Sequence, residues 1–236
     1  MMKCVIAALS LLAASSAFAS NDSETMVYMD WESHYVSEGR NNLPHSGIVW
    51  SGLEHTDGAW LWYERQGFGD SRNFVELNLG FMYQFSLPAD FALATGYKRL
   101  EFFGNERCSD NELSAELSYT GVDWLTPNLA YTYATEAHGA FVEFSLTGNW
   151  QATEHLTISP YILQGWDMGF ASLHHDGRNN FQFGVEAAYD ITAQLNLALQ
   201  LSRSIGQGDI EQQAREEDCI DHPNQTFGGI ALSYRF

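Results

Sequence analysis

The last nine residues of the chain alternate strictly between two kinds of side chain. One face of an extended strand would carry large apolar residues, and the other would carry small or polar ones. The apolar positions are Ile230, Leu232, Tyr234 and Phe236. The positions between them are Gly229, Ala231, Ser233 and Arg235. This pattern predicts a β-strand with one apolar and one wet face.

The same alternation recurs along the chain and predicts twelve strands. They fall near Met26–Val36, Gly47–Glu54, Ala59–Arg65, Phe74–Gln84, Asp90–Arg99, Glu112–Thr120, Asn128–Thr135, Ala140–Trp150, Leu156–Gln164, Phe181–Tyr189, Leu195–Ser204 and Phe227–Phe236. Pro160 removes one ladder donor, so its strand either contains a bulge or begins later. A ten-strand arrangement is the structural alternative.

The connections between these strands alternate in length. Short ones are His55–Gly58, Ser86–Ala89, Gly121–Pro127, Gln151–His155 and Asp190–Gln194. Longer ones are Ser37–Ser46, Gln66–Asn73, Leu100–Asn111, Gly165–Asn180 and Ile205–Thr226, and Glu136–Gly139 alone breaks the pattern. Short periplasmic turns alternating with longer outer loops are typical of an up-and-down, membrane-spanning antiparallel β-barrel of the bacterial outer membrane.

The predicted outward faces carry no charge in the strands where the phase of the alternation is clear, as a lipid-facing surface requires. Tyrosines at the strand ends, among them Tyr35, Tyr63, Tyr97 and Tyr133, would form an aromatic girdle. The segment Gly47–Glu54 fits either phase, with Val49 and Leu53 or with Ile48 and Trp50 outward.

The N-terminus carries the features of a secretory signal peptide. Lys3 precedes an apolar run from Val5 to Ala14, and Ala17-Phe-Ala19 is a processing site, so residues 1–19 would be removed and 20–236 would form one barrel domain. Downstream, no apolar run approaches the roughly 18 residues of a spanning helix. The formal net charge of −19 argues against nucleic acid as a partner and is compatible with lipopolysaccharide bridged by divalent cations.

The predicted inward faces are polar and rich in carboxylates. By strand parity, the lumen-lining charged residues are Asp30, Glu32, Glu76, Lys98, Glu112, Glu116, Glu143, Glu186 and Arg235. Unpaired buried carboxylates are costly, which favours a lumen filled with water. Two alternatives remain open: a narrow aqueous channel that repels anions, or a lumen closed by a polar network.

Beyond the signal peptide there are two cysteines, Cys108 and Cys219, and both fall in predicted outer loops. An even pair in an exported chain favours a disulfide that restrains the mouth of the barrel. The last loop is acidic, with Asp209, Glu211, Glu216, Glu217, Asp218 and Asp221, and we interpret it as solvated. His174-His175-Asp176 is interpreted as an exposed polar segment, so no metal or cofactor is expected.

Four segments resemble the TorF-type porin family of Gram-negative bacteria. Ser33-His-Tyr35-Val36-Ser-Glu-Gly39-Arg40 is similar to the opening S-x-Y-x-x-x-G segment of that family, although Glu38 stands where the family usually has a basic residue. Glu112–Tyr119 with Leu129–Tyr133, and then Val142–Leu146, are similar to its middle portion. The C-terminal strand resembles the closing strand of outer-membrane barrels, which implies that Ile230, Leu232, Tyr234 and Phe236 form the signal read by the barrel-insertion machinery.

These features favour a diffusion channel for small hydrophilic solutes, cationic or neutral, over two alternatives. A closed structural or adhesive barrel would bind a partner through the acidic loops. An outer-membrane hydrolase would need a catalytic group, but Ser33 and His34 point to opposite faces of a strand. His138 and Glu136 have no nucleophile between them. We therefore expect no enzyme.

Overall fold

A computed structural model describes residues 23–43, 46–69, 73–104, 107–172, 176–216 and 222–236. Twelve long strands form one antiparallel sheet that closes on itself. The elements are β1 Glu24–Glu32, β2 Val36–Ser37, β3 Arg40–Asn41, β4 Ile48–Asp57, β5 Trp60–Gly69, β6 Phe74–Leu87, β7 Phe91–Phe103, β8 Cys108–Tyr119, β9 Leu125–Ala134, β10 Gly139–Gly148, β11 Trp150–Gln151, β12 Leu156–Met168, β13 Asp176–Asp190, β14 Leu195–Gly206, α1 Gly208–Glu216 and β15 Asn224–Arg235. The predicted twelve-strand barrel is confirmed, and the ten-strand alternative is excluded.

Each barrel strand pairs with its neighbour along the chain, and β1 pairs with β15. We call the end with the short links and the two terminal strand ends the turn end, and the opposite end the loop end. No helix in the described part of the chain is long and apolar enough to cross a bilayer.

Several strands extend further at the loop end than the sequence predicts. The predicted long link Leu100–Asn111 is mostly strand, because β7 runs to Phe103 and β8 begins at Cys108. Likewise β12 continues to Met168 and β13 begins at Asp176. The apolar alternation ends before the strands do, since backbone ladder bonds do not need apolar side chains. A prediction based on alternation therefore ends these strands too early.

Pro160 lies inside β12 without ending it. The β10–β12 ladder runs as far as Thr147 opposite Tyr161 and resumes as β11 with Trp150 opposite Ile158. The interruption between β10 and β11 lies beside the proline, which cannot donate a ladder hydrogen bond.

The structure resolves the phase of β4 and corrects two aromatic positions. Val49 and Leu53 are exposed on the outer face, while Ile48 and Trp50 are fully buried inside the barrel. The outward placement of Tyr35 is wrong, because that residue lies beyond the end of β1 and is buried at 1% exposure. The outward placement of Tyr63 is also wrong, since its ring lines the lumen.

Inward aromatic rings lie over glycines of the adjacent strand. Trp50 lies so close to Gly67 that a Cβ there would meet the indole at 2.4 Å, and Tyr63 lies equally close to Gly80. Both pairs face each other in register. A ring that lies flat against the inner wall in this way occupies less of the lumen than one that projects across it.

Candidate functional site: the barrel lumen and its mouth

A cavity of about 390 Å³ occupies the lumen. Serine, threonine, asparagine and glutamine side chains from most of the strands line it, together with several carboxylates. At the turn end it reaches Asp190, Asn196 and Arg235. At the other end its lining includes Val36, Glu38 and Gly39 of the first loop-end link, so this link bounds the cavity from the mouth side.

Besides Glu112, which is described below, three carboxylates predicted to face the lumen line this cavity. They are Glu116 on β8, Glu143 on β10 and Glu186 on β13. Glu116 and Glu143 both lie opposite Ala130 of β9, so they share one row of the wall two strands apart. Their Cα atoms are therefore separated by roughly 10 Å. Two carboxyl groups therefore face the cavity from the same row of the wall.

Lys98 and Glu112 form a buried ion pair on the neighbouring part of the wall. The Nζ atom lies 2.6 Å from Oε2 of Glu112, and the two residues are register partners on β7 and β8. Both residues line the cavity. The cation therefore neutralises a carboxylate of the wall and leaves the local charge near zero.

A second charged group lies inside the barrel and centres on Arg65. The sequence pattern does not predict that this cation faces the lumen. Arg65 Nη2 lies 3.5 Å from Asp30 Oδ2 and 3.6 Å from Glu32 Oε1. Its guanidinium also lies 3.8 Å from the centroid of the Trp50 ring, which is a cation–π contact. The sequence predicts a strand that ends at Arg65 with Tyr63 on its outward face, and Arg65 would share that face. Correcting that phase turns Arg65 inward.

Glu76 is fully buried and does not line the cavity. Its carboxylate accepts hydrogen bonds from Tyr35 Oη at 2.6 Å and from Asn78 Nδ2 at 2.9 Å. Tyr35 packs with Leu43, Ile48, Trp50 and Phe74 in an apolar cluster inside the loop end. Glu76 therefore anchors the first loop-end link to the barrel wall.

That link contains a short hairpin, which we call the mouth hairpin (residues 36–41). Its strands β2 and β3 pair Val36 with Asn41 and Ser37 with Arg40. The two turn residues Glu38 and Gly39 have φ angles of 44° and 73°. Two successive positive φ angles in a two-residue loop define a type I′ turn, whose second position suits glycine.

Arg40 ties the mouth hairpin to the opposite side of the barrel. Its Nε donates to Gln213 Oε1 at 2.9 Å, and its Nη2 donates to Asp209 Oδ2 at 2.6 Å. Its Nη1 donates to Asn179 Oδ1 at 2.7 Å and to the Glu38 carbonyl at 3.0 Å. Asp167 Oδ2 lies 3.6 Å from Nη2. One guanidinium thus joins the hairpin to β12, β13 and α1.

A β-bulge supplies one of these partners. The register of β12 with β13 shifts between Gly165 and Trp166, which leaves Asn179 as an extra residue. A bulge redirects the side chain of the extra residue, and here Asn179 is fully buried and also donates to the Glu38 carbonyl at 2.8 Å.

The two anchors of the mouth hairpin lie on opposite sides of the barrel. Glu76 belongs to β6 and Asn179 to β13. These strands are separated by β5, β4, β1, β15 and β14 in one direction and by β7, β8, β9, β10 and β12 in the other. The hairpin and the segments that flank it therefore cross the full width of the loop end.

The remaining predicted residues fall in several places. Arg235 lies at the turn end of the lumen, 3.9 Å from Glu24. Cys108 begins β8, while Cys219 lies outside the described residues, so the disulfide stays a prediction. The side chains predicted as an insertion signal are exposed on the outer face of β15 and at the residue that follows it: Ile230, Leu232, Tyr234 and Phe236.

The acidic last loop is predicted to be solvated, but part of it is buried. Its first carboxylate, Asp209, is buried against Arg40 because residues 208–216 form α1 over the mouth. Glu217, Asp218 and Asp221 lie outside the described residues, as do His174 and His175. Within the described part of the chain no group of acidic, histidine or cysteine residues could hold a metal ion.

No family model matches the chain, and no curated protein matches it in sequence. Solved structures share its fold. The KdgM porin is 9% identical with a TM-score of 0.62, covering 90% of this chain and 99% of its own. An outer-membrane channel from Pseudomonas putida F1 is 13% identical with a TM-score of 0.61, covering 94% and 98%. The NanC porin is 12% identical with a TM-score of 0.54, covering 89% and 98%. This chain therefore has the twelve-strand barrel fold that these outer-membrane proteins share.

Proposed function

We propose that the protein is an outer-membrane channel for passive diffusion of small hydrophilic solutes. The observation that carries this proposal is the polar cavity along the barrel axis, bounded by the mouth hairpin at one end and by Asp190, Asn196 and Arg235 at the other. A closed barrel with an apolar outer face and a wet interior suits a bilayer. The loop end would face the exterior and the turn end the periplasm.

We further propose that the channel prefers cationic or neutral solutes. Glu116, Glu143 and Glu186 line the cavity, whereas Lys98 is neutralised by Glu112. A low-dielectric wall carrying one sign of charge concentrates counter-ions and repels ions of like charge. The excess of carboxylates in the lumen therefore disfavours anions.

Two likenesses bear on the solute, and neither identifies it. The KdgM porin has been solved in complex with disordered oligogalacturonate, which is a polyanion. The carboxylate-rich wall of this chain suits a polyanion poorly, so we do not propose oligogalacturonate as its solute. Membership of the TorF-type porin family rests on the sequence resemblance alone.

Localisation is part of the same proposal. Cleavage after Ala19 would release the mature chain to the periplasm, where Ile230, Leu232, Tyr234 and Phe236 would present the insertion signal. Contacts with outer-membrane lipids and lipopolysaccharide would follow from the exposed apolar outer face.

Single-channel recording in planar bilayers tests the proposal. The purified wild type should give conductance steps with a cation-selective reversal potential in a salt gradient. Glu116→Gln should weaken that selectivity, whereas Glu64→Gln, on the exposed outer face of β5, should not. Selectivity that is equal in both variants would refute the role of Glu116.

A closed barrel is the second candidate, and the packing at the mouth favours it. The cluster around Tyr35 and Trp50 lies at one side of the loop end, and a second cluster of Ala134, Ala137, Phe141 and Phe170 lies between β9 and the link after β12. Complete absence of conductance steps from correctly folded wild-type protein would support this candidate and refute the channel.

A further inference from the structure

The tip of the mouth hairpin carries an unusual residue for its backbone conformation. Glu38 occupies the first position of the type I′ turn at φ 44°. Asparagine, aspartate and glycine are the usual residues there, and the left-handed region costs a longer side chain about 1 kcal/mol or more. Such strain persists only where surrounding contacts enforce it, and it is commonly found at functional sites.

Those contacts are present at Glu38. Its carbonyl accepts one hydrogen bond from Arg40 Nη1 and another from Asn179 Nδ2. Gly39 packs against the other side of the mouth, where a Cβ would meet Asn180 at 2.6 Å and Ile210 at 2.9 Å. The backbone of the tip is thus held between the bulge of β13 and the helix α1.

The side chain of Glu38 points into the lumen. It lines the same cavity as Lys98, Glu112, Glu116 and Glu143. Its carboxylate accepts a short hydrogen bond from Ser37 Oγ. Burial raises the pKa of Glu38 well above its ordinary value, and the negative charges of Glu143 and Glu112 raise it further, while Lys98 lowers it.

We propose that Glu38 is the charge-selecting residue of the channel and that Arg40 is the residue that positions it. This inference rests on the proposed function and adds the place where selection occurs. Since the mouth hairpin and the segments that flank it cross the barrel between β6 and β13, a solute entering the lumen passes the hairpin tip. The carboxyl group there faces the wall that carries Glu143, so a passing ion meets negative charge on both sides when these groups are ionised.

The test compares reversal potentials of single-residue variants in a potassium chloride gradient, at a pH above the raised pKa of Glu38, where its carboxyl carries a charge. A single charge about 4 Å from a passing ion changes the local concentration of that ion about fivefold even at the dielectric constant of water. Glu38→Gln and Glu38→Asn should therefore lower the cation-to-anion permeability ratio about fivefold or more. Asparagine suits the left-handed turn position, so the second variant should fold even if the first does not.

Two matched controls accompany these variants. Glu211→Gln removes the same charge at the same end, on the exposed face of α1, and should leave the permeability ratio unchanged. Arg40→Lys keeps the positive charge but loses the fork of donors that holds the hairpin. It should raise the conductance and lower the selectivity, whereas Arg203→Lys, on the outer face of β14, should change neither.

The outcomes separate the two proposals. A cation-selective wild type with unchanged permeability ratios in both Glu38 variants would overturn the role of Glu38 and leave the channel intact. Loss of selectivity in the Glu38 variants with no change in Arg40→Lys would overturn the positioning role alone. A wild type without conductance would refute the channel itself.

Discussion

Replacing Lys98 with methionine should destabilise the barrel by about 3–5 kcal/mol. Lys98 Nζ lies 2.6 Å from Glu112 Oε2, and the Glu112 side chain is only 2% exposed. Methionine fills most of the volume of the lysine stem, so the loss is mainly electrostatic. The carboxylate of Glu112 would remain buried without the cation beside it, and uncompensated buried charge accounts for the cost.

Urea unfolding of the barrel in phospholipid vesicles, followed by tryptophan fluorescence, would measure the change in the free energy of unfolding. Lys98→Met combined with Glu112→Leu removes both charges and should recover most of the loss. Arg99→Met is the matched control on the adjacent residue. Arg99 and Glu101 are also 2.6 Å apart, but each side chain is 35% exposed. Solvent screening should limit that loss to about 1 kcal/mol or less.

Equal losses in Lys98→Met and Arg99→Met would contradict the reasoning, because they would mean that water screens the buried pair as well as the exposed one. Failure of the double variant to recover stability would contradict it independently. That result would assign the loss to packing of the lysine stem rather than to the charge left on Glu112.

Three further outcomes are expected. The cation preference of the wild type should increase as the pH rises through the raised pKa of Glu38, because the carboxyl is neutral below that pKa and charged above it; reversal potentials across a pH series should show this, and an equal pH response in Glu38→Gln would contradict it. Gly67→Val should destabilise the barrel by about 1–3 kcal/mol, because a Cβ at this position would lie 2.4 Å from the Trp50 ring; urea unfolding measures the loss, and wild-type stability would refute it. Peptide mass mapping without reductant should recover Cys108 linked to Cys219, and two alkylated single peptides would disprove the disulfide.

The barrel itself could be predicted from local sequence because alternation is enforced residue by residue. A strand between lipid and water needs apolar side chains at every second position, and β14 satisfies this with Leu197, Leu199 and Leu201 on its outer face. β4 offered two phases because both of its faces are partly apolar. The second face, with Ile48 and Trp50, packs on Tyr35 and Leu43, which flank the mouth hairpin, and no local pattern indicates that contact.

The mouth could not be predicted in the same way. Arg40 contacts residues more than 120 positions away in sequence, including Asn179, which faces it because of a bulge. The sequence predicts an acidic loop where α1 lies, because the one fully buried apolar side chain of this helix, Ile210, gives little periodicity. The sequence signal available at the tip is Gly39, because glycine suits the second position of a tight hairpin turn.

Ion flow through the purified, detergent-extracted barrel after reconstitution into a planar bilayer is the most direct measurement of what this protein does. Discrete current steps with a reversal potential that favours potassium over chloride are predicted. A folded barrel that inserts into the bilayer yet passes no current, or one that favours chloride, would contradict an acid-lined diffusion channel.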